Sequence, residues 1–156
     1  MNPNLNKMSD KLNFALLGCG RIGGRHAEHI DKLGNLVAVC DIDPIKADKF
    51  GLSYFSKVYY DIETLLENEK NLDVVSICTP NGLHSLHSIK ALRAGINVLC
   101  EKPLAISVHD CEEMIKAAER SNKRLFVIKQ NRFNPPVAAV KDAIEKASLE
   151  KFIVFS

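Results

Sequence analysis

Short apolar runs alternate along the chain with stretches in which apolar residues recur every three or four positions. Leu12–Gly18, Leu36–Asp41, Val74–Thr79, Ile96–Cys100 and Leu125–Lys129 read as buried strands, and Lys57–Tyr60 as a weaker extended piece. Between them the longer period predicts helices. One runs from Ile22 to Leu33, closed by Gly34, and a short one from Pro44 to Phe50, with Gly51 after its end. Others run from Ile62 to about Asn68 and from Leu83 to Arg93, the latter ending at Gly95. Ser107 is placed to cap a helix reaching about Arg120, and Pro135 or Pro136 to start one reaching about Ala147. Strands of this length alternating with helices predict βαβ units, hence an α/β fold with a doubly wound parallel sheet. Lys151–Ser156 reads as a strand that opens something further, and an apolar edge strand usually pairs.

Composition narrows the partners. The chain has 156 residues, 46% hydrophobic and 26% charged, which is ordinary for a globular domain. A net charge of +2 is too small to argue for nucleic acid or an anionic membrane surface. No apolar run approaches the roughly 20 residues that span a bilayer. The start, Met1–Asp10, is polar, Asn-rich and without an apolar signal core, so a cytoplasmic location is expected. Five cysteines, none paired as C-x-x-C, make a disulfide framework or zinc site unexpected; four of them fall in or beside buried strands, as small hydrophobes do.

The chemistry concentrates at the strand ends. Gly18-Cys19-Gly20-Arg21-Ile22-Gly23 matches G-x-G-x-x-G between a strand and a helix, the context that gives this pattern meaning. The first glycine permits the turn, the second a close pyrophosphate, the third helix-on-strand packing, and the helix N-terminus offers N–H groups to phosphate. Asp41 ends the second strand about twenty residues on, where an acid accepts ribose hydroxyls and repels a 2′-phosphate, favouring NAD over NADP. Arg21 could contact the pyrophosphate or neutralise a 2′-phosphate; Asp43 reads as the cap of the helix at Pro44. After the fourth strand, Thr79-Pro80-Asn81-Gly82-Leu83-His84 is a polar loop, with His84 open between a site role and a cap or solvated side chain. His87 reads as a helix-surface residue, and His26 and His29 as packing or exposed. After the fifth strand, Glu101-Lys102-Pro103 holds two ionisable groups where α/β proteins place ligands; a surface ion pair would leave Pro103 unexplained. Partial burial shifts a lysine's proton affinity readily, so Lys102 is a candidate proton carrier. Gln130-Asn131-Arg132-Phe133-Asn134 follows the sixth strand.

Together, Gly18–Gly23, Cys78-Thr79-Pro80-Asn81-Gly82-Leu83-His84 and Cys100-Glu101-Lys102-Pro103-Leu104 resemble the glucose-fructose oxidoreductase / inositol dehydrogenase / MocA-like dehydrogenases, from about Leu12 to Ala147. The resemblance implies an NAD-binding Rossmann domain, with Lys102 as catalytic residue touching substrate and nicotinamide ribose and often moving a proton. It implies cofactor contacts from Gly18, Gly20, Arg21, Ile22, Gly23, Asp41, Thr79, Asn81, His84, Glu101, Lys102 and Gln130. Lys129–Pro136 more narrowly resembles the UDP-N-acetylglucosaminuronate 3-dehydrogenases, which implies substrate contacts from Arg132 and Asn134 beside that of Lys102. Family members are much longer, with a second domain that carries most of the substrate and the oligomer interface. The expected division is therefore a leader over 1–11, the NAD-binding domain over 12–133, a linking helix over 134–150 and the start of a second domain over 151–156. The expected activity is oxidation of a sugar or UDP-sugar hydroxyl, with little turnover by this chain alone and a homo-oligomer for the full-length parent. The other reading is a non-catalytic NAD(P)-binding module that senses or regulates.

Overall fold

The computed structural model describes residues 11–129 and 134–146. Its strands are β1 (Asn13–Leu17), β2 (Asn35–Cys40), β3 (Lys57–Tyr59), β4 (Val74–Ile77), β5 (Asn97–Cys100) and β6 (Leu125–Val127). The helices are α1 (Arg21–Leu33), α2 (Pro44–Tyr54), α3 (Ile62–Asn68), α4 (His84–Arg93), α5 (Val108–Ser121) and α6 (Pro135–Lys146). All strand pairs are parallel, in the order β3-β2-β1-β4-β5-β6. The order reverses between β1 and β4, and such a switch point opens a crevice at the strands' carboxyl ends.

Alternation along the strands divides the core into two layers. Leu16, Val39 and Cys78 pack with Ala27 and Ile30 of α1, while Ala15, Leu17, Cys40 and Ile77 face Leu65, Leu92 and Met114 on the other side. β4 is buried along its whole length, as a parallel strand covered on both faces should be.

Three helix starts follow the sequence closely. Asp43 accepts from Ile45 N–H at 3.1 Å, Asp61 from Thr64 N–H at 2.7 Å and Ser107 from Asp110 N–H at 3.0 Å, each satisfying an N–H that the helix itself cannot. Of two glycines expected at helix ends, one is found there and the other is not. Gly34 does close α1, its N–H donating to Ile30 O at 2.7 Å, but in extended backbone; a Cβ there would meet Phe14 Cε2 at 2.8 Å and Leu12 O at 2.9 Å. Gly51 lies inside α2 rather than after it, because the helix must press against Val58, and α2 ends instead at Phe55 in left-handed backbone. The leader through Asp10, Gln130, Arg132, Ala147 and the strand expected over 151–156 lie outside the described residues.

Candidate functional site

The glycine turn is fixed by backbone contact. Gly18 has φ +101°, and a Cβ on it would sit 2.6 Å from the carbonyl carbon and oxygen of Cys78 at the end of β4. Gly23 lies so close to Gly18 O that no side chain fits between them. Gly20 differs: a Cβ there meets nothing within 4 Å, so the packing of the chain does not require a glycine. Its lack of a side chain leaves room at the start of α1. Among the described residues no side chain caps that start and no acid occupies its first turn, which leaves N–H groups and the positive end of the helix dipole for an anion.

Asp41 reaches across the turn. Its Oδ2 accepts from Cys19 N–H at 2.7 Å and its Oδ1 from Asp43 N–H at 2.9 Å, joining the end of β2 to the glycine loop. A carboxylate has about four acceptor sites, so capacity for ribose hydroxyls remains. A cavity of about 580 Å³ opens beside it, lined by Gly18, Gly20, Asp41, Ile42, Thr79 and His87 among others. Ile42, 90% exposed, presents apolar surface at the edge of this space. At the rim Lys46 pairs with Asp43 at 2.9 Å, which holds the exposed carboxyl of Asp43 below the usual carboxylate range, and Lys90 pairs with Glu63. Burial pushes the Cys19 and Cys78 thiols up to about 12, so neither offers a nucleophile to the crevice. All five cysteines are free thiols, four of them buried, as expected of small hydrophobes.

A second cavity, of about 400 Å³, lies beyond Thr79, which lines both spaces. Arg21, Ile22, Asn81, His84, Glu101 and Lys102 line it together with Arg25. The sequence-derived residues at the ends of β4 and β5 and the start of α1 therefore meet. Glu101 and Lys102 do not form a surface pair. Glu101 turns inward, 5% exposed, and Lys102 outward, exposed rather than partly buried as expected. The Glu101 carboxylate accepts from His26 Nε2 at 3.0 Å on Oε1 and from Lys102 N–H at 3.0 Å on Oε2. His26 Nδ1 lies 2.8 Å from Ser76 Oγ, in the middle of β4.

His84 is 1% exposed and is neither a solvated side chain nor a cap: Nδ1 lies 2.7 Å from Pro103 O and Nε2 2.8 Å from Thr79 O. Both partners are backbone carbonyl oxygens, which only accept. His84 thus ties the Thr79 loop to the chain just after Lys102, where the Lys102–Pro103 peptide is cis. His87 is half-buried rather than a surface residue, its Nδ1 3.1 Å from Thr79 Oγ1; burial, with Lys90 nearby, lowers its proton affinity. Asn134 stands exposed before α6, its carbonyl accepting from Ala138 N–H at 2.9 Å.

His26 and Ser76 are the members that sequence reasoning missed. A signal existed for both. His26 falls on the buried stripe of α1, three residues after Gly23 and next to Ala27, and Ser76 interrupts the apolar run Val74–Ile77. A polar group in either place needs a partner. Among the described residues no group of three or more His, Cys, Asp or Glu is arranged to hold a metal.

Comparison with known proteins agrees with this geometry. The model of an oxidoreductase family with an NAD-binding Rossmann fold matches residues 12–129. The chain is 37% identical over 117 residues to a 1-carboxy-3-chloro-3,4-dihydroxycyclohexa-1,5-diene dehydrogenase of Comamonas testosteroni, covering 74% of this chain and 29% of that one. It is 32% identical over 149 residues to the inositol 2-dehydrogenase of Salmonella typhimurium, covering 88% and 43%. The WlbA dehydrogenase from Bordetella pertussis, solved in complex with NADH and UDP-GlcNAcA, superposes with a TM-score of 0.86 at 34% identity, covering 90% of this chain and 44% of that one. The chain thus spans less than half the length of these relatives.

Proposed function

Since the chain belongs to the Gfo/Idh/MocA family of oxidoreductases with an NAD-binding Rossmann fold, we propose that it forms the cofactor-binding part of an NAD-dependent dehydrogenase acting on a sugar or sugar-nucleotide hydroxyl. The substrate class we favour is a UDP-N-acetylhexosaminuronate, oxidised at C3. The observation that carries the reading is the pair of cavities meeting at Thr79, one beside Asp41 and the other beneath Lys102. The substrate class is supported by the similarity to WlbA.

The open space at Gly20 and the uncapped start of α1 fit a pyrophosphate, with Arg21 beside it. Asp41 would accept the adenosine ribose hydroxyls, and Thr79 and Asn81 would line the path toward the nicotinamide. When bound, NAD accepts a hydride from the carbon bearing the hydroxyl. Lys102, exposed over the smaller cavity, would orient that hydroxyl or take its proton. Glu101 is committed to the interior, so the proton-handling role falls to Lys102 and not to the carboxylate. Gln130, Arg132 and Asn134 remain candidates on the resemblance alone.

Calorimetric titration of the chain with NAD and NADP tests the cofactor site; tighter NADP binding would overturn the role of Asp41. Turnover is measured with UDP-N-acetylglucosaminuronate and NAD in the protein made from the full reading frame. Lys102→Ala is expected to lower kcat at least about 100-fold with NAD affinity within about threefold. NAD binding without turnover of any sugar would favour a non-catalytic module.

A further inference from the structure

Two bonds converge on the Glu101 carboxylate, and together they connect α1 to Lys102. His26 Nε2 donates to Oε1 and the Lys102 backbone N–H donates to Oε2, each at 3.0 Å. We propose that His26 is a positioning residue, which holds Glu101 so that the Lys102 ammonium stands at a fixed place over the smaller cavity. The inference rests on the reading that Lys102 works on the substrate hydroxyl.

The chemistry of the contacts points this way. A carboxylate oxygen only accepts, so Nε2 carries the hydrogen it shares with Glu101. The hydroxyl of Ser76, 2.8 Å from Nδ1, can donate to a neutral ring or accept from a charged one, and β4 thereby fixes the plane of the imidazole. Packing alone does not call for a histidine here. Its neighbours on the buried stripe, Ala27 and Ile30, fill that face with apolar groups. An imidazole with both nitrogens engaged costs desolvation and returns orientation.

His26 also lies one turn after Gly23, on the helix that starts at the phosphate turn. One rigid element therefore carries both the turn and the fastening of Lys102. On the other side of Lys102, His84 holds Pro103 O at 2.7 Å. The backbone is anchored before and after the lysine, whose exposed side chain lines the smaller cavity.

Removing the imidazole would leave Oε1 of the buried Glu101 without its partner, so the test separates the tie from general stability. His26→Gln keeps a donor near Oε1; His26→Leu removes it; the double variant His26→Leu/Glu101→Leu removes the imidazole and the buried carboxylate together, so no charge is left buried without its partner. Hydrogen exchange of the Lys102 amide is read on the chain, and kcat and KM on the protein from the full reading frame. His26→Leu is expected to speed Lys102 amide exchange at least about tenfold relative to the β4 amides, and to lower kcat roughly 10- to 100-fold with KM for NAD within about twofold. His26→Gln should recover most of both. If His26→Leu fails to fold, the double variant is read in its place with the same expected loss of kcat. Unchanged Lys102 exchange and kcat in a folded variant, or exchange that rises equally across the sheet, would overturn the proposal. Full turnover by Lys102→Ala would instead refute the role given to Lys102, with the amide exchange still deciding whether His26 holds the loop.

Discussion

The near wall of the crevice, where β1 turns into α1, is backbone and open space. The far wall, at the ends of β4 and β5, is side chains tied to one another. On the near side, Gly18 and Gly23 meet main-chain atoms and Gly20 meets nothing. On the far side, His26 reaches Glu101 and Ser76, His84 reaches Thr79 and Pro103, and His87 reaches Thr79. The difference matches the two roles proposed for the site. A phosphate needs N–H groups and room, which backbone supplies. A reacting hydroxyl needs a group held in one place, which takes a supporting set of hydrogen bonds.

The contrast breaks most easily at Gly18. Gly18→Ala puts a Cβ against the Cys78 carbonyl in a backbone conformation that L-residues rarely adopt, and is expected to cost about 3 kcal/mol or more. Urea unfolding measures it, and a loss below about 1 kcal/mol would mean that the near wall yields. Gly20→Ala sharpens the same comparison from the other direction. Its stability should stay within about 0.5 kcal/mol of the parent, while NADH affinity by calorimetry falls about tenfold as the new methyl takes the phosphate's room.

The smallest effect concerns the far wall. Burial lowers the proton affinity of His87 in the folded chain, so as pH falls the unfolded chain takes the proton first. His87 then subtracts from stability through the range below its ordinary value of 6.5 and has no such effect well above it. The melting temperature of the parent should drop more steeply on acidification than that of His87→Gln, the two curves running parallel at alkaline pH. Parallel curves throughout would mean that this side chain is as wet folded as unfolded.

The near wall was legible because its rules are local. Glycine spacing, the acid about twenty residues later and the caps Asp43 and Ser107 each act within a turn or one βα unit. Gly51 was misread because glycine after a helix and glycine inside one look alike until Val58 is known to press on it. The far wall was legible in its residue types but not in its connections. Glu101 and Lys102 are adjacent, yet the partner that separates them is 75 residues away. His84 has the composition of a cap, and only the return of the chain at Pro103, 19 residues on, gives its ring a second carbonyl. Side-chain pairing across a parallel sheet leaves no periodic trace in sequence.

The bare start of α1 has a consequence for how much of this chain stays folded. α2, α3 and α5 carry their own caps, and the turn before α4 is closed by Leu83 N–H on Pro80 O at 2.8 Å. α1 leaves that task to whatever binds there. A nucleotide on the glycine turn is then a removable part of the fold, and mass action sets its weight: about 2.7 kcal/mol at a concentration 100 times the dissociation constant. Withdrawing the nucleotide would lower the free energy of unfolding by that amount, and the melting temperature would rise with nucleotide concentration.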